Sequence, residues 1–82
     1  MILKTNSFYV YSFYRFKYLN EIKKLKILLD RFFLDKEIKG TILIATEGVN
    51  ASIAGKLEDL EETTIYIKKI LKIRKFEIKI NQ

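Results

Sequence analysis

From Phe8 to Phe16 the chain reads FYVYSFYRF, aromatic and β-branched enough to predict a strand. Alternation puts Phe8, Val10, Ser12, Tyr14 and Phe16 on one face and Tyr9, Tyr11, Phe13 and Arg15 on the other. Both faces are bulky, so the strand is expected at the centre of a sheet, with helices on one face and the other at least partly shielded. The period then changes. Ile22, Leu25, Leu28, Leu29, Phe32 and Phe33 recur at three- and four-residue spacing, which predicts an amphipathic helix over Glu21 to Leu34. Asn20 is its expected N-cap and Glu21 suits the first turn, while Lys23, Lys24, Asp30 and Arg31 form a solvated face.

A hairpin is expected next. An apolar run from Thr41 to Ala45 leads into Thr46-Glu47-Gly48-Val49-Asn50 and then a short run from Ala51 to Ala54. Gly48 and Asn50 tolerate positive φ, which favours a tight or bulged connection. Leu57, Leu60, Thr64, Ile67 and Leu71 then predict a second helix from Leu57 to about Lys72. Its acids (Glu58, Asp59, Glu61, Glu62) stand at the start and its lysines (Lys68, Lys69, Lys72) at the end, as the helix dipole prefers. From Lys75 to Ile80, Phe76, Ile78 and Ile80 alternate with Lys75, Glu77 and Lys79, a half-exposed strand. The order βαββαβ predicts an α+β, ferredoxin-like sandwich: a four-stranded antiparallel sheet, order 4-1-3-2, with two helices on one face.

Eighty-two residues allow one small core and no second domain, so residues 1–82 are expected to form a single domain. There is no Cys and no His, which excludes thiolate nucleophiles, imidazole bases and the usual soft zinc ligands. No apolar run is long enough for a membrane span. The expectation is a cytoplasmic protein without membrane contact, cofactor or metal. Sixteen Lys and Arg against 10 Asp and Glu leave a net charge of +6, which favours polyanionic partners. Abundant Lys and Ile would also follow from AT-rich coding, so charge alone does not decide.

Four functional readings each lack part of what they need in this sequence. Acyl phosphate hydrolysis on such a fold needs a Gly-rich anion cradle and an Arg after the first strand, yet that connection is Lys17-Tyr18-Leu19-Asn20, leaving only Arg15 within reach. An RNA-recognition motif would use rings on the first and third strands; Phe8-Tyr9-Val10 half satisfies the first, but Asn50 to Gly55 holds no aromatic residue. The acids Glu58, Asp59, Glu61 and Glu62 lack the spacing of a calcium loop, and Glu47 has no partner carboxylate in a catalytic arrangement.

The segment from Gly40 to Gly55, GTILIATEGVNASIAG, closely resembles the hairpin of the N-terminal, acylphosphatase-like domain of the rhodanese-domain tRNA uridine hydroxylases. That family reads approximately G-T/R-I-L-V/L-A-x-E-G-I-N-G-S/T-I/V-A/S-G. Phe13-Tyr14-Arg15-Phe16 is similar to the ending of its first strand. Ala51 departs from the family's Gly, Lys56 stands where a Ser-like cap is usual, and the Pro after the first strand is missing. For full-length members the resemblance implies oxygen-dependent hydroxylation of the wobble uridine. Their catalytic Cys lies in a following rhodanese domain, and the N-terminal domain helps to position tRNA and packs on the catalytic one.

Carried over, Glu47, Gly48, Asn50 and Gly55 match the hairpin motif and are expected to shape it; no catalytic residue is carried. Charge clustering selects Arg15, Lys17, Lys68, Lys69, Lys72, Arg74 and Lys75 as candidate RNA phosphate contacts. The expected function is an accessory, tRNA-binding N-terminal domain or truncated form of a tRNA wobble-uridine hydroxylase, inactive alone. Its partners would be tRNA and a rhodanese-like catalytic domain in cis or in trans. The alternatives are a non-catalytic interaction module or gene remnant, and an acylphosphatase-type hydrolase relying on Arg15.

Overall fold

The computed structural model describes residues 8–75 and 77–81. Its elements are β1 (Tyr9–Phe16), α1 (Ile22–Phe33), β2 (Lys39–Ala45), β3 (Gly48–Gly55), α2 (Leu57–Leu71) and β4 (Ile78–Asn81). The sheet is antiparallel in the order β2-β3-β1-β4, the expected topology with β1 inside.

The alternation of β1 decides what the sheet buries. Tyr11 and Phe13 point into the helix layer with Val49, Ala51 and Ile53 of β3 and Ile44 of β2, and all are buried. Leu25 and Leu29 of α1 and Ile67 and Leu71 of α2 meet Phe13, Ala51 and Val49 in one cluster; Tyr11, Ile53 and Leu60 form a second. Ala51 places its methyl group in this core. Between the helices Phe32 stacks on Tyr66, with centroids 4.3 Å apart, and Lys36 sits 5.0 Å over Phe32 while pairing with Glu62 at 2.8 Å.

Several boundaries differ from the expectation, each for a reason in the packing. Asn20 does not cap α1: Glu21 takes the N-cap position in the left-handed region (φ 54°), without a side-chain cap. Leu19 is buried and its N–H donates to the Thr46 carbonyl at 2.9 Å, so the entry into α1 is set by this anchor and not by a cap. The hairpin turn is shorter than expected, because Val49 and Asn50 already belong to β3 and Asn50 pairs with Leu43 and Tyr14 in extended backbone. Leu57, in the first turn of α2, is exposed, whereas Thr63 is buried with its hydroxyl donating to the Asp59 carbonyl at 2.7 Å. Lys56 precedes α2 without a side-chain cap.

The last strand begins at Ile78, not Lys75. Lys72 closes α2 in the left-handed region and the Ile73 N–H returns to the Lys68 carbonyl at 2.9 Å, which carries Ile73 into the core. The ladder of β4 with β1 at the sheet edge starts with Ile78 opposite Phe13. The expected inward position of Phe76 lies outside the described residues.

Gly48 is required by close approach. At φ 151° an added Cβ would lie 2.1 Å from the Arg15 carbonyl oxygen on the neighbouring strand. Gly48→Ala is therefore expected to lower stability by about 1–3 kcal/mol, read from urea unfolding. Burial pushes the Tyr11 phenol pKa up, helped by the charges of Glu61 and Tyr9. The folded state then holds the proton more tightly than the unfolded chain, so this group's contribution is intact below the unfolded value of 10.0 and is lost as pH rises through the higher folded one. Comparing alkaline unfolding of the wild type and Tyr11→Phe should show a shallower decline in the variant.

Candidate nucleic-acid interface

At one end of the molecule the connection from β1 to α1 meets the end of α2. Lys17 follows the last residue of β1, and its Nζ donates to the Lys72 carbonyl at 2.9 Å. An ammonium there satisfies a carbonyl that the helix leaves open and opposes the negative end of its dipole. The connection is also tied to the hairpin turn, since the Lys17 N–H donates to the Glu47 carbonyl at 3.0 Å beside the Leu19 bond. Two backbone donors that a phosphate cradle would use are thus already spent within the fold.

Beside this junction lies a cleft of about 470 Å³ with Leu25, Leu28 and Leu71 among its apolar lining residues. Its cationic groups are Lys17, Lys24, Lys69 and Lys72, and its one acid is Glu21, which pairs with Lys24 at 3.6 Å in an exposed i,i+3 contact. The structure therefore brings together three of the residues chosen by charge, Lys17, Lys69 and Lys72. Lys68 is half-buried on the same last turn of α2; Arg15, Arg74 and Lys75 are exposed, and none of these four lines the cleft.

Lys24 also lines the cleft, although its spacing in the sequence places it on the solvated face of α1; the signal that finds it is its place one turn after the β1–α1 connection. Among the described residues, no three His, Cys, Asp or Glu side chains are grouped to hold a metal ion, and no helix is long and apolar enough to cross a membrane.

The four motif residues serve different places. Glu47 forms the turn and offers its carbonyl to Lys17, and Gly48 admits the Arg15 carbonyl. Asn50 projects from the face opposite the helices, while Gly55 ends β3 where a Cβ would stand 3.1 Å from the Glu37 carbonyl oxygen.

Residues 8–82 match the model of the UPF0176 acylphosphatase like domain. The chain belongs to that family. It is 54% identical over 70 residues to a tRNA uridine(34) hydroxylase of Pelagibacter ubique, covering 85% of this chain and 23% of that protein. It is 35% identical over 72 residues to one of Mesorhizobium japonicum, covering 88% of this chain and 23% of the relative. With one of Anaplasma marginale the identity is 34% over 62 residues, 76% of this chain and 22% of the relative. The chain thus spans less than a quarter of the length of these curated relatives.

Lys17→Met keeps much of the stem and removes the donor to Lys72. It should lower stability by roughly 0.5–1 kcal/mol in urea unfolding, the scale of a cation at a helix C-terminus, with the loss reduced at high salt.

Proposed function

We propose that this chain is the accessory, tRNA-binding N-terminal domain of a cytoplasmic tRNA wobble-uridine hydroxylase, itself without the chemistry. The observation that carries the reading is the convergence of Lys17, Lys24, Lys69 and Lys72 on one cleft in a chain whose relatives are named tRNA uridine(34) hydroxylases. The sequence holds no Cys, so a rhodanese-like catalytic segment, in cis or in trans, would supply the hydroxylation.

Electrostatics supports a backbone-directed role. Four ammonium groups face one carboxylate and about half a negative charge from the end of α2, so the cleft remains cationic despite the unfavourable dipole. Lys17 contributes in two ways: one N–H holds the α2 carbonyl, and its charge remains available to a phosphate. Such contacts neutralise phosphates and release counterions without reading bases, which fits positioning a substrate for a separate catalytic centre.

The test is tRNA binding by the 82-residue chain across a salt series. Affinity should fall steeply between about 50 and 200 mM salt. Changing Lys24, Lys69 and Lys72 together to Gln should reduce the log–log salt slope by up to about 3. Salt-independent binding, or no binding at low salt, overturns the reading.

A further inference from the structure

The face of the sheet turned away from the helices carries a second arrangement. Tyr14 and Phe16 stand on it with 54% and 69% of their surfaces exposed. Their rings meet edge to face at a centroid separation of 4.9 Å, so Phe16 props the Tyr14 ring. Beside Tyr14 is a shallow depression of about 570 Å³, bordered by Ser12, Asn50, Ser52, Glu77 and Lys79. The ladders hold most of these groups in register: Tyr14 lies opposite Asn50, and Ser12 opposite both Ser52 and Lys79. The Ser12 and Ser52 hydroxyl oxygens are 3.4 Å apart.

That set of groups narrows the occupant. An apolar protein surface would strip water from Asn50, Ser52, Glu77 and Lys79 without replacing their hydrogen bonds. A bare anion would make no use of the rings and would meet Glu77. A nucleobase has a flat face for a ring and an edge of donors and acceptors for a carboxamide and hydroxyls, and its phosphate suits an ammonium. The +6 chain attracts the polyanion that carries such bases.

We propose that this depression binds one unpaired base of single-stranded RNA: Tyr14 stacks on it, Asn50 and Ser52 bond its edge, and Lys79 meets the adjoining phosphate. Among the described strand residues, rings come from β1 and β3 has none, so the site takes one base and not the row that an RNA-recognition motif binds. The inference rests on the RNA-binding reading above but uses a different set of residues, so the two can fail separately.

The experiment is fluorescence anisotropy of the full chain with a short labelled single-stranded RNA and with its duplex, at one salt concentration. Tyr14→Ala should weaken single-strand binding about ten-fold and leave duplex binding within about two-fold, whereas Tyr14→Phe should retain affinity. Asn50→Ala should weaken single-strand binding as well. Unfolding midpoints near wild type would show that the variants fold. Unchanged single-strand affinity in Tyr14→Ala overturns the stacking site while leaving the lysine cleft standing; absence of RNA binding at low salt overturns both. If Tyr14→Ala instead abolishes a concentration-dependent mass in sedimentation and RNA affinity is unchanged, the face is a self-association contact and the base site is overturned.

Discussion

The structure depends on the ladder between β1 and β3. It runs unbroken from Tyr9 opposite Gly55 to Phe16 opposite Gly48, and the helices pack on one of its faces. Its register places Phe13 against Ala51 and Arg15 against Val49; a slip by one residue would turn Tyr11 and Phe13 out to water and Ser12 and Tyr14 into the core. Gly48 helps to set that register, because only a residue without a Cβ lets the Arg15 carbonyl approach so closely. The constraint also fixes what lies beyond the ladder. Where β1 ends, Lys17 and Leu19 donate to the carbonyls of the β2–β3 turn, so the connection to α1 inherits its position from the sheet.

Charge is ordered along the same frame. Glu58 and Asp59 occupy the first turn of α2 and Lys68 and Lys69 its last, an arrangement the dipole explains without any ligand. Lys17 is different: it comes from another element and crosses 55 residues of sequence to reach the Lys72 carbonyl. It joins the basic end of α2 to the end of β1, and Lys24 completes the group from the first turns of α1. The lysines that line the cleft thus come from separate elements held by one fold, whereas Arg74 and Lys75 are near α2 in sequence without lining it.

The architecture was legible because its signals are local. The alternation of β1, the stripe of Leu25 and Leu29, and the hairpin pattern each appear within a few residues, and together they leave little choice of topology. The misread positions depend on distant partners. Asn20 has the chemistry of a cap, but the burial of Leu19, whose N–H donates to the Thr46 carbonyl, decides the entry of α1. Lys75 alternates like a strand residue, but α2 closes only at Lys72 and Ile73 and the ladder with β1 begins at Ile78. Asn50 looks like a turn residue until pairing with both Leu43 and Tyr14 places it in β3. Charge clustering picks out Lys17, Lys69 and Lys72, which the fold brings to one cleft, but not Lys24, which becomes their neighbour only after folding.

The two faces of β1 show why the aromatic content of one strand has to be divided between two tasks. Tyr11 and Phe13 are buried at 5% and 4% exposure, and their contacts account for the need for rings on that side. Core packing gives no comparable reason for Tyr14 and Phe16, which stay more than half exposed and whose rings meet edge to face on the outer side of the sheet. Their neighbours Ser12, Asn50 and Ser52 keep hydrogen-bonding groups at the surface, a pattern unlike the dry, apolar inner face of the same strands. A central strand with bulky residues on both sides is therefore a sign of two surfaces: one that folds the chain and one whose composition suits a ligand with both a flat face and a polar edge.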